Sequence, residues 1–281
     1  MVIVVASQIG GISLPASLIR DDRPGGSTRR DHAARQRGER CSERHWAVGY
    51  TPSVTRPRTP NRGWFITIEG PEGAGKTTQA ATLATHLFDL GFDVHLTREP
   101  GGTWLGERLR EILLARTDPM ARTDPLTDAF LFNAARRQLV TEVVRPSLDA
   151  GRTILCARFA DSTLAYQGFG AGVPLERLRA LEAAATDGLK PDLTILLDLA
   201  VEDGLVRKAP GDVTRFEAEF DLDFHRRVRD GFLALAAAEP GRFTVVDANH
   251  PMVAVALAVA AAVDRLVRSD EPKPSVVRTT R

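Results

Sequence analysis

Residues 70–77 read Gly-Pro-Glu-Gly-Ala-Gly-Lys-Thr and fit the pattern G-x-x-x-x-G-K-[ST] in full. Glycines let such a loop curl so that its N–H groups point at phosphate oxygens, and the positive end of a following helix adds to the attraction. We expect Lys76 to reach the β- and γ-phosphates of a nucleoside triphosphate and the Thr77 hydroxyl to bind Mg²⁺. The predicted triphosphate-binding residues are Gly70, Pro71, Glu72, Gly73, Ala74, Gly75, Lys76, Thr77 and Thr78.

The loop lies between two elements that must position it. The apolar run WFITIE at 64–69 predicts a buried strand, and residues 75–90 predict a helix that ends at Gly91. Phosphate binding is expected in this strand–loop–helix context. A glycine-rich turn without a ligand is the alternative interpretation.

The rest of the chain alternates short apolar runs with helical patterns. Further strands are predicted at 93–97, 153–157, 193–199 and 243–247, and further helices at 105–115, 125–148, 174–186, 201–208, 215–238 and 251–268. Short, almost wholly apolar strands that alternate with helices are typical of a parallel sheet covered on both faces. We therefore predict a three-layer α/β fold of the P-loop NTPase type over residues 63–268, with a five-stranded parallel sheet.

Composition excludes several classes of protein. The net charge of the 281 residues is +1, which does not indicate nucleic-acid binding. Cys41 and Cys156 are too few and too far apart for a disulfide framework, and they favour a reducing, cytoplasmic compartment. No apolar run reaches the roughly 18 residues of a membrane span, so no membrane partner is predicted.

The two ends of the chain differ from its centre. Residues 1–62 are rich in arginine and proline and predict a basic, disordered extension, and residues 269–281 predict a flexible tail. Other interpretations of the extension are a start site assigned too early and a basic arm that contacts nucleic acid. No nucleic-acid partner is expected for residues 63–281.

The sequence also narrows the class of P-loop protein. No N-K-x-D motif is present, so recognition of guanine, as in a typical GTPase, is not expected. The ordered region is too small for the coupling elements of a motor or helicase. A kinase that acts on a small acceptor is the remaining prediction.

Three later segments carry a family resemblance: TREPGGT at 97–103, FLFNAARRQL at 130–139 and RFADSTLAYQG at 158–168. Together with GPEGAGKTT they closely resemble the bacterial thymidylate kinase family over about residues 64–268. The resemblance implies ATP-dependent phosphorylation of dTMP to dTDP, a requirement for Mg²⁺, and a cytoplasmic homodimer.

The resemblance also implies roles for single residues. Phe132 and Arg136 lie four positions apart on one helix face, where the family stacks thymine and hydrogen-bonds its carbonyl edge. Arg158 is implied to clamp the dTMP phosphate with help from Arg110. The plain alternatives are a core residue for Phe132, surface charges for Arg136 and Arg110, and a helix cap for Ser162. The implied dTMP-binding residues are Glu99, Pro100, Arg110, Phe132, Arg136, Arg158, Ser162, Thr163, Tyr166 and Gln167.

In this family an arginine reaches the transferring phosphate either from the P-loop or from a mobile lid. Gly73 occupies the P-loop position, so the resemblance implies a lid arginine, with the lid at about 204–215. The cations in this segment are Arg207, Lys208 and Arg215. The implied catalytic residues are Lys76, Arg158, Arg207 and Arg215.

Two positions depart from the family pattern. Ala157 stands where an aspartate is expected near Mg²⁺, and Thr214 stands where an aspartate usually precedes the lid arginine. Glu69 or Asp161 is a candidate to replace the lost carboxylate, so we predict Thr77 as a Mg²⁺ ligand with Glu69 as a candidate second. Two alternatives to dTMP phosphorylation follow: a kinase for another nucleotide, and a catalytically weak, kinase-like nucleotide-binding protein.

Overall fold

A computed structural model describes residues 63–115, 123–207 and 214–269. Within these ranges the strands are β1 (Phe65–Glu69), β2 (Val94–Arg98), β3 (Thr153–Ala157), β4 (Leu193–Asp198) and β5 (Phe243–Asp247). They form one sheet in the order β2-β3-β1-β4-β5, and neighbouring strands are parallel. The predicted five-stranded parallel sheet is therefore confirmed.

Helices connect these strands in chain order. They are α1 (Lys76–Asp89), α2 (Trp104–Leu114), α3 (Pro125–Leu139), α4 (Arg145–Asp149), α5 (Ala160–Thr163), α6 (Leu175–Thr186), α7 (Val201–Arg207), α8 (Arg215–Glu219), α9 (Leu222–Ala238) and α10 (Met252–Ser269). Two wider, π-helical segments, Val140–Val144 and Leu164–Gly170, follow α3 and α5. Among the helices of the described ranges, none has both the length and the apolar character needed to cross a bilayer.

The central strand β1 is buried along its whole length because helices cover both faces of the sheet. On one face Ile66 and Ile68 pack with Leu83 of α1 and Val259 of α10. On the other face Phe65 packs with residues of α3 and of the π-helical segment after it. Since the strands are parallel, their carboxyl ends meet at one edge, where open α/β sheets bind ligands.

The helix predicted over 125–148 is a continuous helical run, but it is not uniform. The π-helical segment Val140–Val144 lies directly before α4, and Pro146 lies in the first turn of α4. A proline ring clashes with the preceding turn of a regular α-helix, and a wider turn gives it room.

The helix predicted over 215–238 is divided into α8 and α9. Asp221 begins α9 by accepting a hydrogen bond from the Phe224 N–H at 2.8 Å. Such a side-chain cap satisfies a backbone donor that a new helix leaves without an intrahelical partner.

No helix was predicted directly after the third strand, yet α5 and Leu164–Gly170 form a helical run there. Gly170 lies so close to Phe224 of α9 that a Cβ at position 170 would be 2.7 Å from that ring. Tertiary packing against α9 therefore stabilises a helix that the local sequence, which contains Gly168 and Gly170, does not indicate.

Some predicted segments lie outside the described residues. These are the extension 1–62, the lid residues 208–213, and the tail from residue 270 onward.

Candidate active site

A cavity of about 510 Å³ opens at the carboxyl edge of the sheet, where the P-loop faces the segments after β2 and β3. Its lining residues are Glu72, Gly73, Gly75, Lys76, Thr77, Thr78, Glu99, Pro100, Arg110, Leu114, Phe132, Arg136, Arg158, Phe159, Ser162, Thr163, Tyr166, Gln167, Thr214 and Phe216. All ten residues implied for dTMP binding are among them. One cavity thus joins the two halves of the site that the sequence predicts separately.

The P-loop wall of the cavity is built around Lys76, the first residue of α1. Its Nζ donates hydrogen bonds to the carbonyl oxygens of Gly70 at 3.0 Å and Pro71 at 2.6 Å. Gly75 directly before the helix has φ of 84°, a left-handed conformation that favours glycine. Thr77, in the first turn, is exposed and lines the cavity. This wall can therefore present backbone N–H groups, an ammonium and a hydroxyl to a phosphate chain.

Gly73 of the P-loop lies against Gly204 of α7. A Cβ at position 73 would lie 1.9 Å from the Gly204 carbonyl oxygen, and a Cβ at position 204 would lie 2.2 Å from the Glu72 carbonyl oxygen. An arginine at position 73 is therefore excluded unless one of the two backbones moves.

Arg158 is the centre of the polar wall opposite. It follows β3 directly and has φ of 70°, a rare conformation for a residue with a side chain. Its guanidinium donates to Glu72 Oε1 at 2.6 Å, to the Tyr166 hydroxyl at 3.2 Å and to Ser162 Oγ at 3.2 Å. Burial lowers the pKa of Arg158, but Tyr166 and Glu72 outweigh it and raise the pKa above its usual value. The residue is a fixed cation at the edge of the cavity.

Arg136 is held by a buried network rather than exposed on the cavity surface. Its side chain is 1% exposed and forms a 2.7 Å ion pair with Glu99. It also donates to Asn133 Oδ1 at 2.9 Å, to the Phe159 carbonyl at 3.1 Å and to Thr163 Oγ1 at 3.1 Å. Burial raises the pKa of Glu99 to about 7, because desolvation outweighs the attraction of Arg136. Most of the donors of Arg136 are therefore already used within the protein.

Aromatic rings form the apolar part of the cavity. The ring centroids of Phe132 and Phe216 are 6.1 Å apart, and those of Tyr166 and Phe216 are 5.7 Å apart. Arg110 of α2 lines the same region and donates to the Pro100 carbonyl at 2.9 Å. Burial and the neighbouring Arg98 lower the pKa of Arg110. These aromatic faces can stack against a flat ring.

Of the lid cations, Arg207 and Arg215 are described, and neither is part of the cavity lining. Arg207 donates to the Ala248 carbonyl at 3.0 Å, and Arg215 is buried in a 2.7 Å ion pair with Asp128. Lys208 lies outside the described residues. The structure thus does not bring Arg207 and Arg215 together with Lys76 and Arg158.

The two candidate substitutes for the missing aspartate are both engaged elsewhere. Glu69 is completely buried and accepts hydrogen bonds from the Phe159 N–H and the Ser162 hydroxyl, each at 2.6 Å. Burial and the nearby Asp161 raise the pKa of Glu69 to about 7. Asp161 accepts two hydrogen bonds from Arg242, at 2.7 and 2.9 Å. Within the described ranges, no group of three or more His, Cys, Asp or Glu side chains is placed to hold a metal ion.

Four lining residues were not among the predicted site residues: Leu114, Phe159, Phe216 and Thr214, the last of which lies in the predicted lid segment. Asn133, which binds Arg136, was also not predicted. The i, i+3 spacing of Asn133 and Arg136 on a predicted helix was an available signal for their contact. No sequence signal indicated Phe216, because its position depends on how α8 packs against α3.

Comparisons with known proteins identify the family of this chain. The family model for thymidylate kinase matches residues 68–259. The thymidylate kinase of Deinococcus radiodurans is 55% identical over 192 residues, which cover 68% of this chain and 91% of that protein. That of Desulfovibrio desulfuricans is 51% identical over 213 residues, 73% of this chain and 96% of that protein.

A solved structure shows the same likeness at the level of the fold. The crystal structure of thymidylate kinase from Ehrlichia chaffeensis superposes with a TM-score of 0.57 and 34% identity, covering 72% of this chain and 99% of that one. These matches confirm the resemblance seen in the motifs. The chain belongs to the thymidylate kinase family.

Proposed function

We propose that this protein transfers the γ-phosphoryl group of ATP to dTMP, forming dTDP and ADP. The observation that supports this most strongly is the single cavity that joins the P-loop to the wall around Arg158. Phosphoryl transfer requires mainly that donor and acceptor be positioned in line and surrounded by cations. A cavity with a phosphate loop at one end and a fixed arginine at the other meets that requirement.

At the ATP end, we assign the backbone N–H groups of residues 70–78 and the Lys76 ammonium to the phosphate chain. The hydrogen bonds of Lys76 to its own loop keep the ammonium at the cavity wall. Positive charge at this point stabilises the charge that develops on the transferring oxygens.

At the acceptor end, we assign Arg158 and Arg110 to the dTMP phosphate and Phe132 to one face of thymine. Each lines the cavity. For Arg136 we propose that its buried pairing with Glu99 positions Phe132 and Thr163, with any contact to the base made by its remaining N–H. The further dTMP-binding residues in this proposal are Pro100, Ser162, Tyr166 and Gln167.

Of the two predicted Mg²⁺ ligands, Thr77 and Glu69, only Thr77 fits that role. The Thr77 hydroxyl is a hard oxygen ligand, exposed in the cavity, whereas both oxygens of Glu69 already accept hydrogen bonds in the core. We therefore propose Thr77 as the protein ligand. The bound ion would neutralise charge between the β- and γ-phosphates.

Catalytic roles for Arg207 and Arg215 stay predictions. Both side chains start away from the cavity lining, so either role requires that arginine to move toward the P-loop. Lid movement of this kind excludes water, which otherwise competes as an acceptor. The buried pairing of Arg215 with Asp128 makes Arg207 the better candidate.

A homodimer formed through α2 and α3 is also proposed. These two helices expose large apolar side chains: Trp104 is 76%, Ile112 60% and Phe130 54% exposed. Exposed apolar patches often mark protein–protein contacts. Light scattering is expected to give twice the chain mass, and Ile112→Glu to give a monomer; a wild-type monomer would contradict the proposal.

We also propose a cytoplasmic location, which the scarcity of cysteine favours. Cell fractionation can test it.

The test of the function is a coupled assay of ADP release by the full chain. ATP and Mg²⁺ are supplied with dTMP, dUMP, dCMP, dGMP or thymidine, and Lys76→Ala is the blank. Turnover with dTMP that exceeds the other acceptors and disappears in the blank is expected. A different preferred acceptor, or tight dTMP binding without turnover, would contradict it.

A further inference from the structure

Glu69 ends the central strand and is completely buried, and it does not line the cavity. Its Oε1 accepts the Phe159 N–H and its Oε2 accepts the Ser162 hydroxyl, both at 2.6 Å. These partners lie 90 and 93 residues further along the chain, in the segment after β3. One side chain of β1 therefore holds that segment at two points.

Arg158 lies between the two points. It directly precedes Phe159, and its backbone has φ of 70°, which a side chain tolerates only when its surroundings impose it. Its Nη1 donates to the same Ser162 Oγ that Glu69 binds, at 3.2 Å. The backbone of Arg158 on one side and its guanidinium on the other thus depend on atoms that Glu69 fixes.

We propose that Glu69 is a positioning residue that orients Arg158 toward the acceptor through the Phe159 N–H and the Ser162 hydroxyl. The inference rests on the proposed function, in which Arg158 binds the dTMP phosphate. It gives this carboxylate a role within the protein rather than at the metal, in agreement with the use of both its oxygens.

Removal of the carboxylate leaves a buried N–H and a half-buried hydroxyl without their acceptor, so the Arg158 backbone can relax from its rare conformation. A glutamine at position 69 keeps an acceptor for the Phe159 N–H and places a donor next to Ser162 Oγ. An aspartate is one methylene shorter and reaches at most one of the two partners. A purely structural role would instead lower the melting temperature and leave the kinetics of the folded enzyme unchanged.

The experiment compares Glu69→Ala, Glu69→Asp and Glu69→Gln with the wild-type full chain, measuring kcat, the KM for each substrate and the melting temperature. Asp198→Ala is the matched control. Asp198 ends β4, the strand beside β1, pairs with Arg229 at 2.7 Å and does not line the cavity. For Glu69→Ala we expect a rise of about tenfold or more in the KM for dTMP, with the KM for ATP within about twofold. For Glu69→Gln we expect a KM for dTMP within about threefold of the wild-type value. Asp198→Ala is expected to change only the melting temperature.

The inference is overturned if folded Glu69→Ala has a wild-type KM for dTMP, if both KM values rise alike, or if Glu69→Gln is as impaired as Glu69→Ala. If Glu69→Ala does not fold, Glu69→Asp decides, because a wild-type KM for dTMP in that variant would also overturn it. A wild-type chain without turnover contradicts the proposed function and not this inference. In that case the dissociation constants for dTMP, measured by calorimetry in the same variants, take the place of KM.

Discussion

Gly73 of the P-loop and Gly204 of α7 contact each other through backbone atoms, and neither position has space for a Cβ. The contact connects the phosphate-binding loop to the helix that leads into the proposed lid segment. It also explains in physical terms why an arginine cannot occupy position 73 in this arrangement. The geometry of the loop and the position of α7 are therefore coupled.

Gly204→Ala is expected to lower kcat/KM for ATP by about tenfold, because the added Cβ would lie 2.2 Å from the Glu72 carbonyl oxygen and displace the P-loop. Steady-state kinetics with varied ATP measure the effect. Gly241→Ala is the matched control, since a Cβ at position 241 meets nothing within 4 Å. Equal kinetics for the two variants would show that α7 does not position the loop.

Arg158→Lys is expected to lower kcat/KM for dTMP by about 100-fold, nearly as much as Arg158→Ala. A lysine keeps the charge but lacks the planar fork that binds Glu72, Ser162 and Tyr166 together. Kinetics with varied dTMP test this. Full activity of the lysine variant would mean that charge alone is required at this position.

Stability is expected to depend on pH through Glu99. Its pKa is about 7 in the folded protein against 4.5 for an ordinary glutamate, so between these values the folded state binds more protons than the unfolded state. The free energy of unfolding therefore falls as pH rises through this window and is level above it. The contribution is at most about 3.5 kcal/mol, at about 1.4 kcal/mol for each of the 2.5 pKa units.

Glu99→Gln removes this titration, so its free energy of unfolding should change less than that of the wild type between pH 4.5 and 7. Urea denaturation at several pH values measures both slopes. The variant will also be less stable overall because Arg136 loses its partner, so the slope rather than the level is compared. Parallel slopes would show that Glu99 is ionised throughout the range.

Deletion of residues 1–62 is expected to leave kcat and both KM values within about twofold of the full chain. The described residues that line the cavity lie between Glu72 and Phe216, within the range that the thymidylate kinase family model matches. The same coupled assay applied to residues 63–281 and to the full chain measures this. A large loss of activity would assign the extension a part in the kinase itself.

The local sequence pattern was sufficient to predict the sheet and the P-loop. Strands such as FITIE are short and apolar because helices cover both of their faces, and the spacing of Gly70, Gly75 and Lys76 is a property of one continuous segment. The motifs around Arg136 and Arg158 predicted an acceptor side through their resemblance to the family, and both residues line the cavity. Each of these features depends on neighbours within a few residues of the chain.

The pairing of charges depended instead on packing between segments that are distant in the chain. Arg136 reaches Glu99 across 37 residues, and Glu69 reaches Ser162 across 93. Arg215, which the sequence presents as a lid cation, is buried against Asp128 of α3. A charged side chain is buried only where an opposite charge or hydrogen-bond partners compensate for its lost hydration. Only the folded chain determines where those partners lie.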